Sequence, residues 1–243
     1  MRWILAALFA TILLALPLAR EARADDLCAG CRLSFPEAAP GATDKVPLVV
    51  TLHGDYQPVS TMHDAWRRIA VPRGVAVLSL ACPTSLGCKG SWWRWDGAPA
   101  WILGEIAKVE KRRAIDRDRL YLAGWSGGGS YMGWRAQELS QTFAAFVIHG
   151  GGMPPATPAC ASEKVPVYFL VGDKNPYHYL GKELATYFRG CGSTVTWDLL
   201  KDAEHPAEWN ALPGRGRKVM DFLLSHTRLA PAPAPATSTS TST

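Results

Sequence analysis

Short apolar runs bounded by turn residues constrain this chain more than any other feature. They occupy Val46–Leu52 and residues 75–81, 144–149 and 165–171. Such a run has no polar face, so as a strand it must be covered on both sides. Segments of helical period lie between them. Met62, Trp66, Ile69 and Ala70 fall at i, i+4, i+7 and i+8, and Ile102, Ile106 and Val109 form a second stripe with charge on the other face. Residues 120–125 read as a short strand and residues 129–139 as a helix. Leu180, Leu184, Tyr187 and Phe188 make a third stripe, closed by Gly190. Val195–Leu200 is the last strand, and Val219, Phe222 and Leu223 mark the final helix. This alternation predicts a three-layer α/β domain with a mostly parallel sheet. Right-handed crossovers then put helices on both faces. In such a sheet ligands meet the carboxyl ends of the strands.

The two ends of the chain read differently. Residues 1–24 have the pattern of a signal peptide: Arg2, an apolar stretch over 4–18, then Ala22-Arg23-Ala24. The stretch is short of the roughly 20 residues a spanning helix needs. No other segment is apolar enough, so the expectation is a secreted or periplasmic protein without a membrane span. Residues 230–243 are a Pro-Ala alternation followed by a Ser-Thr alternation, with almost nothing to bury, and read as a disordered tail. What remains, residues 25–229, suits one domain. The formal net charge of +5 falls to +3 without residues 1–24, which hold three arginines and one glutamate. Basic residues are interspersed with acids, as in Glu110-Lys111-Arg112-Arg113, so no stripe for nucleic acid is expected.

Six cysteines behind a signal peptide imply disulfides made in an oxidising compartment. The expected pairs are Cys82–Cys88, Cys160–Cys191 and Cys28–Cys31. Cys28-Ala-Gly-Cys31 has a second reading, as a redox pair or half a zinc site. It lacks a βαβ context, a second such motif and a following histidine. No cofactor or metal is expected.

The strongest chemical signal is Gly124-Trp125-Ser126-Gly127-Gly128, directly after a strand and before a helix. This is G-x-S-x-G in the context the motif needs: a sharp turn that lifts the serine above the sheet. The positions two before and two after must be small, because strand and helix pass close together there. The following helix aims its N-terminal amides at the serine, and the Gly127 amide is placed to stabilise an oxyanion. The segment lacks the glycine and lysine spacing of a phosphate-binding loop.

The stretch from Ile115-Asp116-Arg117 through Leu120-Tyr121-Leu122-Ala123-Gly124-Trp125-Ser126-Gly127-Gly128-Gly129 resembles the serine turn of α/β-hydrolases. It is most similar to the polyhydroxybutyrate-depolymerase and feruloyl-esterase-like branch. The resemblance follows the order of elements over roughly residues 46–224, but only this turn, His53-Gly54 and the C-terminal histidine are specific. It implies an α/β-hydrolase fold with Ser126 as nucleophile. It also implies that the amide just after His53-Gly54 donates to the oxyanion, which points to Asp55, with Tyr56 second, while His53 holds the loop. His205, in the loop after the last strand, matches the general base. In many members of the family the acid is the third residue after a glycine like Gly172. That residue here is Asn175, and the nearest carboxylate is Asp173. Two readings therefore stand: Asp173 turns inward to His205, or Asn175 takes the place and holds only the tautomer. Asp202 and Glu204 are a third source of charge.

Ser91-Trp92-Trp93-Arg94-Trp95-Asp96 puts three tryptophans on an expected loop. Trp92, Trp93 and Trp95 are candidates for an apolar wall of the site, together with Trp125 and Tyr56. The alternative is packing against the neighbouring disulfide loop. Where larger relatives carry a lid, residues 150–164 are short and rich in Gly and Pro, so no large lid and an open site are expected. The leading reading is a secreted carboxylester hydrolase acting through an acyl-serine on small, aromatic or polyester-type esters. The alternative is a secreted binding protein of the same fold with weak or no turnover, which Asn175 supports.

Overall fold

The computed structural model describes residues 26–37 and 44–228. The expected signal segment and tail lie outside the described residues. In chain order the strands are β1 (Arg32–Ser34), β2 (Val46–Leu52), β3 (Ala76–Leu80), β4 (Ile115–Trp125), β5 (Ala145–His149), β6 (Val167–Gly172) and β7 (Val195–Leu200). The helices are α1 (Val59–Ala70), α2 (Ala100–Glu110), α3 (Gly127–Trp134), α4 (Ala136–Leu139), α5 (His178–Gly190) and α6 (His205–Leu224).

The strands form one sheet in the order β1-β3-β2-β4-β5-β6-β7. All neighbours from β3 to β7 run parallel, and β1 pairs antiparallel with β3. Strand periodicity then divides the core in two. Leu48, Val50 and Leu52 face a layer that includes Ile102 and Ile106 of α2, Tyr131 and Met132 of α3, and Leu184 and Phe188 of α5. Val49, Tyr121, Val147 and Leu170 face Met62 and Trp66 of α1 and Leu212, Val219 and Leu223 of α6. Helices therefore cover both faces, as the apolar runs require.

The structure departs from the expected elements in four places. β1 is an antiparallel edge strand too short for its pattern to stand out. The helix expected over 129–139 breaks at Arg135, which separates α3 from α4. The last helix begins at His205 itself, with Pro206 in its first turn, so that histidine belongs to a helix rather than to the loop before it. β4 begins at Ile115, ahead of the strand expected over residues 120–125. The disulfides are Cys28–Cys31, Cys82–Cys88 and Cys160–Cys191. The segment between β5 and β6 carries no helix or strand. No helix among the described residues is long and apolar enough to cross a membrane.

Candidate active site

β4 ends at Trp125 and α3 begins at Gly127, so Ser126 alone makes the turn between them. It does so at φ 51°, a backbone conformation that L-residues rarely adopt. Its N–H is held by the His149 carbonyl at 2.9 Å. Two glycines let the chain cross itself here. A Cβ on Gly124 would come within 2.6 Å of the Gly128 backbone, and one on Gly128 would collide with the Leu52 carbonyl.

The carboxyl ends of β5, β6 and the start of α6 converge on the serine. The Ser126 hydroxyl lies 2.8 Å from His205 Nε2. His205 Nδ1 lies 2.8 Å from Glu208 Oε2, three residues further along the same helix. Glu208 is fully buried, and its carboxylate is surrounded by donors. The Gly172 N–H donates to Oε1 at 2.5 Å. Asn175 Nδ2 lies 3.0 and 2.8 Å from the two oxygens. A buried carboxylate needs such partners. Asn175 is itself fixed from the other side, because its Oδ1 accepts from the Tyr177 N–H at 2.9 Å.

This geometry puts neither an expected carboxylate nor Asn175 alone behind His205; it brings in Glu208, which the sequence did not suggest. Asp173 is exposed and makes no side-chain hydrogen bond to His205, so it is not the acid beside the imidazole. Asn175 is buried with Nδ2 3.1 Å from His205 Nδ1, but Nδ2 is an amide donor, shared between Glu208 and the Gly150 carbonyl at 3.3 Å, and brings no charge to the imidazole. The carboxylate is Glu208. Asp202 and Glu204 are both exposed and do not reach the imidazole.

Trp125 lies flat on His205, with ring centres 4.5 Å apart and planes 11° off parallel. Its neighbours are His149 at 4.5 Å and Trp209 at 5.3 Å. His149 donates its Nε2–H to the Glu208 carbonyl, and burial pushes its pKa down to about 4. His53 acts as a bracket. Its Nδ1–H donates to the Gly54 carbonyl at 2.7 Å, and its Nε2 accepts from the Cys82 N–H at 3.1 Å. Burial lowers its pKa, in keeping with a neutral ring.

Two cavities meet at Ser126. One, of about 250 Å³, is lined by Asp55, Trp93, Arg94, Gly127 and Tyr177 among others. The second, of about 370 Å³, is lined by His205, Trp125, Trp209, Asn210 and Gln57. Of the tryptophans expected at the site, Trp93 and Trp125 reach it. Trp92 and Trp95 do not: they are 0% and 2% exposed and pack on Tyr131 in the core. Tyr56 is also corrected. It lies outside both cavities, 70% exposed, and its N–H is taken by the Gly90 carbonyl at 2.7 Å.

The prolyl oligopeptidase family matches residues 104–167, a stretch that holds the Ser126 turn but not Asn175 or His205. No curated protein sequence matches the chain. Among solved structures, a thermostable esterase is similar with a TM-score of 0.62 at 21% identity. The match covers 82% of this chain and 59% of that one, so this chain spans less than two thirds of that esterase. Est1E from Butyrivibrio proteoclasticus, with ferulic acid bound, has a TM-score of 0.59 at 13% identity, over 80% of this chain and 95% of that one. The substrate-bound fluorophosphonate-binding serine hydrolase F of Staphylococcus aureus has a TM-score of 0.61 at 13% identity, over 80% and 91%. At such identities the fold is what is shared.

Proposed function

From a chain with the α/β-hydrolase fold, we infer a serine carboxylester hydrolase that works through an acyl-serine intermediate. The observation that carries this reading is the 2.8 Å approach of Ser126 Oγ to His205 Nε2, with Glu208 behind Nδ1. The serine proton passes to Nε2 as Oγ attacks the ester carbonyl. The Glu208 carboxylate holds the Nδ1–H tautomer and stabilises the imidazolium. The developing oxyanion is received by two backbone amides. One is Gly127 N–H at the start of α3. The other is Asp55 N–H, since Tyr56 N–H is already bonded to Gly90. The His53 bond to the Gly54 carbonyl helps here: the Asp55 N–H belongs to the same planar peptide and points the opposite way.

Nε2–H then protonates the leaving alcohol. The alcohol must therefore leave on the side lined by His205, Trp209 and Asn210, and the acyl group occupies the cavity lined by Gly127, Trp93 and Tyr177. Water on the His205 side completes hydrolysis. An open, lidless site suits soluble esters or exposed polymer chains rather than long buried lipids. Secretion is part of the same proposal, and its support is the three disulfides.

The binding-protein alternative rested on Asn175 standing where an acid is usual. A carboxylate on Glu208 removes that ground. The test is hydrolysis of p-nitrophenyl acetate and butyrate by the purified protein. Turnover and fluorophosphonate labelling are both expected to vanish in Ser126→Ala. Turnover that persists in this variant, or its absence from the wild type together with no labelling, sinks the proposal.

A further inference from the structure

The acyl cavity carries a charge that the ester reading does not use. Arg94 lines it, is exposed, and has no carboxylate within ion-pair distance among the described residues. Its backbone is nonetheless well held. Trp92–Arg94 form one turn of 3-10 helix, in which residues three apart share a side. Trp92 and Trp95 are therefore buried together, and Trp93 and Arg94 are left on the cavity side. The Ser91 hydroxyl donates to Asp55 Oδ2 at 2.7 Å, and the Trp93 N–H donates to Oδ1 at 3.4 Å. These bonds tie the turn to the loop after β2.

The same bonds occupy Asp55, the other charged residue of the cavity. Its carboxylate lies against Gly127, where a Cβ would strike it, so the negative charge sits beside the reacting serine. Arg94 accompanies Trp93 and the half-exposed Tyr177, whose rings lie 5.9 Å apart. The cavity wall thus carries both signs of charge: a carboxylate engaged beside the serine, and Arg94, which has no ion-pair partner among the described residues.

We propose that this cavity selects acyl groups that end in a carboxylate, and that Arg94 receives that carboxylate. The substrates would be half-esters of dicarboxylic acids. The proposal rests on the ester-hydrolase reading. A guanidinium offers paired N–H donors that match a carboxylate, and the aromatic rings cover the methylenes between the two ends. A charge borne next to the scissile carbonyl would instead meet Asp55.

The test compares the p-nitrophenyl half-ester of adipic acid with the same compound methylated at its free carboxyl. The readout is the ratio of the two kcat/KM values. In Arg94→Gln the acid-to-neutral ratio is expected to fall roughly tenfold, a modest value because the group is exposed. Arg94→Lys should keep part of the preference, and about 0.5 M salt should reduce it in the wild type. A ratio that is the same in Arg94→Gln and wild type overturns the inference and leaves the esterase reading standing. If the wild type hydrolyses neither ester and Ser126 takes no fluorophosphonate, the esterase reading has failed. Calorimetric titration with adipate then decides: binding lost in Arg94→Gln supports the anion site, and no binding to the wild type overturns it.

Discussion

Glu208 is where one residue carries the most consequence. It lies three positions after His205 on a helix, and that spacing puts both side chains on one face. Its burial leaves no water to compensate the charge, so Gly172 N–H and the Asn175 amide do so. Glu208→Gln is expected to lower kcat by up to about 10⁴, the loss seen when the triad Asp of a serine protease becomes Asn. Asp173→Asn should change kcat by less than about twofold, as expected for an exposed side chain off the site. A purely structural role for Glu208 would be separated from a positioning role by Asn175→Asp/Glu208→Gln. That double variant returns a carboxylate to within reach of His205 Nδ1 and should recover part of kcat. Equal losses in Glu208→Gln and Asp173→Asn would remove Glu208 from the mechanism. Ser126 is legible in the sequence, because it follows a strand and carries a local motif, whereas His205 comes from the family resemblance and its place after the last strand. The partner of His205 is not legible, because it depends on where the helix begins. Pro206 was the available clue: proline favours the first turn of a helix, and His205-Pro206-Ala207-Glu208 then reads as an i, i+3 pair.

At the scale of elements, the serine turn works only because β4, α3 and the end of β2 come closer than side chains allow. Gly128→Ala is the cleanest probe, since its Cβ would meet the Leu52 carbonyl and lie 2.8 Å from the His53 carbonyl, both backbone atoms that cannot rotate away. Overpacking of this kind costs about 1–3 kcal/mol. It should also push His53-Gly54-Asp55 away from Ser126, so activity should fall further than stability alone explains. Gly104→Ala is the control, because nothing lies within 4 Å of its Cβ. Urea melts and p-nitrophenyl acetate hydrolysis of both variants check this, and similar behaviour of the two would refute it. The long elements were legible because a buried strand or an amphipathic helix repeats its pattern over several residues. The short ones were not. β1 has three residues, and the turn Trp92–Arg94 has a period of three that hides which tryptophans face inward. Burial of Trp92 and Trp95 with exposure of Arg94 is set by tertiary packing on Tyr131 and Trp101, which no local pattern announces.

For the whole molecule, the buried histidines make stability depend on pH in a stated direction. His149 is depressed by burial to about 4 from 6.5, and burial also lowers His53 and His63. An unfolded chain releases these histidines to titrate near their ordinary value. Between pH 6.5 and about 4 it therefore binds protons that the folded chain refuses, and acidification favours unfolding. Above about pH 6.5 the three side chains are neutral in both states and their contribution is flat. His149 alone accounts for about 3 kcal/mol across the window, by the conversion of about 1.4 kcal/mol per pKa unit. Denaturant melts at several pH values should show stability falling through this range, and His149→Gln should flatten the fall. The comparison of slopes matters more than the absolute stabilities, because the variant also disturbs the bond from Nε2 to the Glu208 carbonyl. A slope unchanged in His149→Gln would mean that His149 already titrates in the folded protein. The ring under Trp125 would then be charged at mildly acid pH, and the stack that orients His205 would rest on a cation instead of a neutral imidazole.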